Sequence, residues 1–210
     1  MSSELGRLKD GYTQGARGLA SRLMAGLAES RITPNQLTAA GVSLCLVASV
    51  LVYFEDEGEL LFFWLGAALF IVGSILDILD GALARATDKG TPFGAFIDST
   101  TDRIGEAAML TAIGLVFMRD GHEAALAATF AAVAGSFLVS YTRARAEALG
   151  LRGDVGLSSR AERVVIISTG LILAPWGVLP WAIYVLAASA WITVLQRVLS
   201  VRAQLRPPDR

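Results

Sequence analysis

The chain has 210 residues, 54% of them hydrophobic, with a mean hydropathy of +0.55 and a formal net charge of −1. This composition is too apolar for an ordinary soluble domain, and the chain is long enough for several membrane spans of about 20 residues each. The single cysteine, Cys45, excludes an internal disulfide framework and a metal site built from cysteines. Cys45 lies among leucines and is interpreted as a packed core thiol. No nucleic-acid partner is expected.

Residues 1–30 interleave basic residues with leucines, which is typical of an amphipathic helix that lies at a membrane interface. We therefore divide the chain into a juxtamembrane helix, 1–30, and a membrane domain, 31–210. Thr33 followed by Pro34 predicts the start of the first span, because threonine is a favoured N-cap and proline suits the first helical position. The apolar segments after it predict six spans, at about 35–54, 60–84, 92–118, 123–149, 160–175 and 180–201. The expected fold is an all-α membrane protein with six transmembrane helices and an N-terminal amphipathic interfacial helix.

The basic residues predict the orientation of these spans. With six spans they fall on one side of the membrane, and Arg119 is the one exception. Basic residues concentrate in cytoplasmic segments. We therefore expect a multi-pass protein of the cell (inner) membrane with both termini cytoplasmic, and with the acidic turn at 55–59 and the segment 175–180 facing outward.

Four aspartates, Asp77, Asp80, Asp98 and Asp102, interrupt two of the apolar segments. An acidic residue in a spanning helix is by default a candidate functional residue. Within each pair the spacing is three or four residues, which places both side chains on one helix face. Converging carboxylates repel unless cations neutralise them, and their hard oxygen ligands suit Mg²⁺ or Mn²⁺. The alternative is that the carboxylates are solvated at helix ends.

The same stretch has the pattern D-x-x-D-G-x-x-A-R, eight residues, G-x-x-x-D-x-x-x-D. Its fixed positions are Asp77, Asp80, Gly81, Ala84, Arg85, Gly94, Asp98 and Asp102. The pattern resembles the signature of the CDP-alcohol phosphotransferases at every fixed position. This resemblance implies an enzyme of phospholipid biosynthesis that transfers the phosphatidyl group of CDP-diacylglycerol to an alcohol and releases CMP. It also implies that the four aspartates hold two Mg²⁺ ions, with Mn²⁺ as a possible substitute, and that Asp102 is the general base.

The match further implies a binding site for the CDP-lipid donor. Glycine lets a nucleotide approach the backbone and arginine offers a fork to a diphosphate, so Gly81 and Arg85 are expected to contact the donor. The other expected donor residues are Thr91 and the start of the first span, Asn35, Gln36, Leu37 and Thr38. Lys89, in the turn between the two halves of the signature, is interpreted as a surface charge.

A second group of charges consists of arginines close to the ends of the later spans. A positive-inside loop accounts for Arg145 and Arg152. Grouped guanidinium groups bind phosphate in a bidentate manner, which favours an anion site for the others. The predicted acceptor-phosphate residues are Arg143, Arg160, Arg163 and Arg197.

Segment 140–163, with Gln196 and Arg197 in the last span, resembles the actinobacterial phosphatidylinositol-phosphate synthases, in which a lysine takes the position of Arg143. The resemblance implies inositol phosphate as the acceptor, phosphatidylinositol phosphate as the product, and a homodimer. Glycerol phosphate is the alternative acceptor, since it too would require arginines. From a different class, a membrane cation transporter would place the four acids near the midplane on a pathway open to both faces.

Overall fold

The computed structural model describes residues 32–87 and 89–206, and all regular secondary structure in these ranges is helical. The helices are α1 (Pro34–Tyr53), α2 (Glu55–Thr87), α3 (Pro92–Arg119), α4 (Glu123–Ala148), α5 (Arg160–Ile172) and α6 (Leu179–Gln204), with a 3-10 turn at Ala174–Trp176 between the last two. Each predicted span corresponds to one helix. The amphipathic helix predicted for 1–30 lies outside the described residues.

Within the described residues, four helical segments are long and apolar enough to cross a membrane: Pro34–Tyr53, Leu61–Thr87, Glu123–Ala148 and Leu179–Gln204. α3 has 28 residues, but its first half carries several charged side chains. α5 has 13 residues. At 1.5 Å per residue such a helix reaches about 20 Å, less than the roughly 30 Å of hydrocarbon in a bilayer. The prediction of an all-helical, membrane-embedded fold is therefore confirmed, whereas six spans remain a prediction.

Glycines allow α1 to approach α2 and α3 closely. A Cβ added at Gly73 would lie 2.7 Å from the carbonyl oxygen of Gly41 and 2.8 Å from Cys45 Sγ. A Cβ added at Gly105 would lie 3.1 Å from the Cβ of Cys45. Cys45 is buried there, as expected for a core thiol. Small residues let membrane helices pack backbone to backbone. This contact lies one helical turn from Asp77, so it sets how closely the acid-bearing helices approach each other.

The second half of the bundle packs α4 against α6, and α5 contacts both α2 and α6. Buried side chains such as Ile113, Ile167 and Ile183 form one continuous core. Large apolar side chains, among them Phe130 and Trp181, cover the outside of the bundle. An apolar outer surface would be a liability in water. In a bilayer the same surface is solvated by lipid tails.

The connection from α4 to α5 is held against α6. The Arg152 backbone exchanges two hydrogen bonds of 3.0 Å with the Gln204 side chain, and the Ser158 N–H donates to Thr193 Oγ1 at 2.9 Å. Gly156 has a φ of +136°, and a Cβ there would lie 2.3 Å from Thr193 Cγ2. Only glycine adopts such a backbone without strain. The start of α5, which carries two of the predicted arginines, is thereby fixed in place.

Arg119, the last residue of α3, contacts the connection between α1 and α2 at the end of the bundle far from the four aspartates. Its Nη2 lies 2.8 Å from Glu55 Oε1 and its Nε lies 3.2 Å from Asp56 Oδ2. Its Nη1 also donates to the carbonyl oxygen of Tyr53 at 2.6 Å. The one basic residue predicted on the outward side thus pairs with the acidic turn predicted on the same side.

Candidate active site

Three of the four predicted acids meet at one point. One carboxylate oxygen from each of Asp77, Asp98 and Asp102 lies within 4.8 Å of the other two. Asp77 lies in the last third of α2, and Asp98 and Asp102 lie one turn apart in the first half of α3. The four-residue spacing puts Asp98 and Asp102 on one face of α3, and the packing of α2 against α3 brings Asp77 to that face.

The fourth acid, Asp80, is 2% exposed and lies beside this group. Its Oδ2 accepts a hydrogen bond from the Thr38 hydroxyl of α1. Among the described residues, Asp80 Oδ1 and Asp98 Oδ1 are buried and have no hydrogen-bond partner. A buried, unsatisfied carboxylate oxygen is costly, and a divalent cation would satisfy it. Since Mg²⁺ and Mn²⁺ bind carboxylate oxygens, the donor set fits such a metal.

Arg160 reaches the same carboxylates from the start of α5. Its Nη1 pairs with Asp77 Oδ2, and its Nη2 lies 2.6 Å from Asp102 Oδ1. The second contact is an ion pair without hydrogen-bond geometry, so Asp102 Oδ1 is left without a hydrogen bond. The sequence predicts that Arg160 binds the acceptor phosphate, whereas in this structure its charge is compensated by two of the acids.

A cavity of about 480 Å³ opens beside Asp80 and Asp98. Five of the predicted donor residues line it: Asn35, Thr38, Gly81, Arg85 and Thr91. Its volume is that of a site for a small-molecule ligand, typically about 300–1,000 Å³. Gly94 also lines it, and a Cβ there would lie 3.1 Å from Thr91 Oγ1 and 3.2 Å from Asn35 Oδ1. The second glycine of the signature thus leaves space at the cavity wall.

Gln36 and Leu37 do not line this cavity. Gln36 forms a capping box with Thr33, in which its Oε1 accepts from the Thr33 N–H at 2.9 Å. Leu37 is buried in the helix packing. Asn35 and Thr38 are three residues apart and share the cavity face, so the two residues between them point elsewhere. Lys89, by contrast, lines the cavity, and its place between the two halves of the signature is the signal that could have indicated this.

A second cavity of about 460 Å³ lies on the other side of the acid group. All four predicted acceptor arginines line it: Arg143, Arg160, Arg163 and Arg197. Arg103 lines it as well, although it is not among the residues predicted for this site. Asp98 borders both cavities. Ligands bound in the two cavities would therefore meet at the acid group.

Two of these arginines are buried and held in fixed positions. Arg163 Nε lies 2.7 Å from Glu106 Oε1, and its Nη2 lies 2.8 Å from Glu106 Oε2. Arg197 Nε donates to the carbonyl oxygen of Val155 at 2.8 Å, and its Nη1 donates to Val139 O. Sequence reasoning missed Glu106, although it continues the four-residue spacing of the acids on α3. Both guanidinium groups therefore line the cavity at fixed positions, which lowers the side-chain entropy that binding a ligand would cost.

Arg143 differs from these two. Its Nε lies 2.9 Å from Glu147 Oε1, and the two side chains are 57% and 55% exposed. An exposed pair four residues apart on one helix contributes little to stability. Arg143 can therefore change its partner at little cost, whereas Arg163 and Arg197 are fixed.

Comparison of the sequence with known proteins shows which family the chain resembles. The sequence profile described as CDP-alcohol phosphatidyltransferase matches residues 31–199. An archaetidylinositol phosphate synthase of Pyrococcus horikoshii is 39% identical over 180 residues, which cover 85% of this chain and 88% of that protein. Phosphatidylinositol phosphate synthases of actinobacteria are also among the relatives.

Solved structures of related enzymes have the same fold as this chain. The crystal structure of the Mycobacterium tuberculosis phosphatidylinositol phosphate synthase with CDP-DAG bound matches with a TM-score of 0.77 and 29% identity, covering 91% of this chain and 98% of that one. The same enzyme in complex with manganese and citrate matches with a TM-score of 0.77 and 30% identity, covering 90% and 93%. The residues matched by the family profile include the four aspartates and all four arginines predicted to bind the acceptor phosphate. The chain therefore belongs to the CDP-alcohol phosphatidyltransferase family.

Proposed function

We propose that this protein transfers the phosphatidyl group of CDP-diacylglycerol to inositol phosphate, giving phosphatidylinositol phosphate and CMP. The observation that carries the proposal is the pair of cavities on either side of Asp98, one lined by the signature residues and the other by arginines. A reaction that joins two phosphate-bearing substrates requires such an arrangement. A cation transporter would leave both cavities and the family assignment without a role.

The acceptor is proposed from the arginine cavity and from the relatives. The names of the Pyrococcus and Mycobacterium enzymes differ in the lipid part and share inositol phosphate. A phosphorylated alcohol also fits Arg163 and Arg197, because buried guanidinium groups at fixed positions bind phosphate strongly. Arg163 is already paired with Glu106, whereas the described partners of Arg197 are carbonyl oxygens. Serine or choline would therefore leave the charge of Arg197 without a counter-ion.

The proposed metal site consists of Asp77, Asp98 and Asp102, with Asp80 beside them. We propose two Mg²⁺ ions, which Mn²⁺ can replace. Divalent ions bound at this site would neutralise the charge of the diphosphate and make the reacting phosphorus more electrophilic. The manganese complex of the M. tuberculosis enzyme supports this choice of metal.

The donor residues have distinct roles in the proposed reaction. Arg85 binds the diphosphate of CDP-diacylglycerol with its guanidinium fork. Gly81 leaves the backbone open to the nucleotide, and a Cβ there would come into van der Waals contact with Arg85 Nη1 at 3.4 Å. Asn35, Thr38 and Thr91 line the remainder of the donor cavity. The lipid tails stay in the bilayer.

On the acceptor side, Arg163 and Arg197 hold the phosphate of the alcohol and thereby direct one of its hydroxyl groups towards Asp102. Asp102 accepts the hydroxyl proton as the general base, through a carboxylate oxygen that is not engaged elsewhere. The hydroxyl oxygen forms a bond to the phosphorus that carries diacylglycerol. The bond from that phosphorus to the bridging oxygen of CMP breaks, and CMP leaves.

We further propose the arrangement in the membrane. The domain 31–210 spans the inner membrane six times, the segment 1–30 lies at the cytoplasmic interface, and both termini and the active site face the cytoplasm. The charges in the first half of α3 suit a cytoplasmic helix end, and the 3-10 turn at Ala174–Trp176 extends the short α5. A homodimer is proposed on the family resemblance alone.

Cysteine labelling tests this topology. We expect His122→Cys, between α3 and α4, to react with an impermeant maleimide in intact cells, and Asp154→Cys, between α4 and α5, to react only after permeabilisation. Both positions are exposed, and the native Cys45 is buried. Ser158 in the same connection is fully buried and is unsuitable for labelling. Labelling of Asp154→Cys in sealed cells would contradict a cytoplasmic active site.

A panel of acceptors tests the proposed reaction. Purified protein is incubated with CDP-diacylglycerol, Mg²⁺ and either inositol phosphate, glycerol phosphate, inositol or serine, and CMP release is measured. We expect the highest kcat/KM with inositol phosphate, by at least about tenfold over glycerol phosphate, which corresponds to roughly 1.4 kcal/mol in transition-state binding. A preference for glycerol phosphate would instead make the protein a phosphatidylglycerophosphate synthase.

A further inference from the structure

Arg160 lies at the boundary between the acid group and the arginine cavity. It pairs with Asp77 and Asp102 on one side. On the other side it lines the same cavity as Arg163 and Arg197. One side chain therefore belongs to both of the sites that the proposed reaction needs.

The partners of Arg160 set it apart from the other paired arginines of this cavity. Arg163 pairs with Glu106 and Arg143 pairs with Glu147, and neither glutamate belongs to the proposed metal site. Arg160 alone among these three has its charge compensated by proposed metal ligands. A cation that binds these carboxylates consequently competes with Arg160 and with neither of the other two.

Metal binding would reverse the electrostatic surroundings of Arg160. Four aspartates carry four negative charges, which two divalent ions would neutralise completely. Arg160 would then lose its counter-charge and would lie next to cations that repel it. A guanidinium that is largely removed from water needs another anion, since an uncompensated buried charge is strongly unfavourable. The arginine cavity, which Arg160 itself lines together with Arg163 and Arg197, can hold such an anion.

We propose that Arg160 is an internal counter-ion of the metal site, which divalent metal displaces, and that the displaced guanidinium becomes a ligand for the acceptor phosphate. Metal and acceptor binding are then positively coupled, because each stabilises the position of Arg160 that the other requires. Such coupling is reciprocal, so an anion in the arginine cavity must raise the metal affinity by the same factor. The inference rests on the metal assignment of the proposed function.

The coupling is measured without lipid substrates and without turnover. Mn²⁺ is titrated into detergent-solubilised protein and free Mn²⁺ is followed by electron paramagnetic resonance. The titration is repeated with sulfate, a phosphate-like anion, and with chloride at the same ionic strength. We expect sulfate to tighten Mn²⁺ binding to the unaltered protein by about three- to tenfold, within the usual range of coupling between sites. An Mn²⁺ affinity that is independent of sulfate would overturn the proposal.

A variant isolates the contribution of Arg160. Arg160→Gln removes the competing cation, so we expect it to bind Mn²⁺ about tenfold more tightly in chloride, equivalent to roughly 1.4 kcal/mol, and to show no further effect of sulfate. The control is Arg145→Gln, which removes one positive charge from an exposed position of α4 outside both cavities. It should leave the affinity in chloride within about twofold, as expected for a solvent-screened charge.

The outcomes separate this inference from the proposed function. Equal or weaker Mn²⁺ binding by Arg160→Gln would overturn the counter-ion role while the metal site itself stands. Absence of Mn²⁺ binding to the unaltered protein would overturn both the counter-ion role of Arg160 and the proposed metal site. If Arg160→Gln does not fold without metal, the sulfate titration of the unaltered protein still decides the question.

Discussion

Asp98→Asn lowers the turnover number by about a thousandfold or more, which corresponds to roughly 4 kcal/mol in the activation barrier. Asp98 is the acid that borders both cavities, and one of its buried oxygens has no partner among the described residues. Asparagine keeps the shape of the side chain but removes the charge that holds a divalent ion. Asp77→Asn is expected to act in the same way, because its carboxylate belongs to the same group.

The measurement is kcat for CMP release at saturating donor and acceptor, together with the thermal unfolding temperature of each variant. The unfolding temperature of Asp98→Asn should change little, because this substitution removes one of several repelling carboxylates and leaves both ion pairs of Arg160 in place. Asp77→Asn also removes a charge that pairs with Arg160, so it should unfold at a lower temperature. Asp154→Asn serves as the control, since Asp154 is exposed and lies outside both cavities. Excess chelator should abolish the activity of the unaltered protein. Full turnover in chelator, or in Asp98→Asn, would contradict the metal-dependent mechanism.

Arg163→Ala raises the KM for inositol phosphate about 10- to 150-fold, the equivalent of losing a charge-assisted contact of about 1.5–3 kcal/mol. The KM for CDP-diacylglycerol should stay nearly constant, because Arg163 lines the arginine cavity and not the donor cavity. Arg85→Ala should show the opposite preference, since Arg85 lines only the donor cavity of the two. Steady-state kinetics with each substrate varied in turn give all four constants.

Arg163 also has a structural role, and the experiment must separate this role from its contact with the acceptor phosphate. Alanine at this position leaves Glu106 half-buried without its partner, which costs stability as well as affinity. Arg163→Lys keeps a charge beside Glu106 but cannot reproduce the planar fork, so it should recover only part of the KM effect. Arg145→Ala, an exposed arginine near the end of α4, should change neither constant. A rise in the donor KM alone would assign Arg163 to CDP-diacylglycerol and remove the main support for a phosphorylated acceptor.

The helices could be predicted because their ends carry local signals. Thr33 caps α1 and Thr91 caps α3, and each is followed by a proline at the first helical position. These signals depend on neighbouring residues only. The short α5 could not be distinguished from a full span, because its apolar segment continues into the 3-10 turn at Ala174–Trp176 and hydropathy does not register the change of helix type.

The acid group was predictable for the same reason, since helical periodicity alone puts Asp98 and Asp102 on one face. The ion-pair partners of the arginines could not be predicted from the sequence. Arg160 and Arg163 lie one turn apart in α5 and meet acids of α2 and α3, an arrangement that depends on how the three helices cross. The close contacts at Gly41 and Gly73 set part of that crossing, and no local pattern gives its angle.

The central claim is that a phosphorylated alcohol is joined whole to a lipid at this site. It is tested most directly with inositol phosphate that carries a radiolabelled phosphate, incubated with CDP-diacylglycerol, Mg²⁺ and the protein, followed by extraction of the lipids. We predict that the label enters the lipid fraction in a one-to-one ratio with released CMP, and that neither appears with Asp98→Asn. Label that remains in the aqueous phase while CMP is released, or label that enters lipid without CMP, would contradict the proposed transfer.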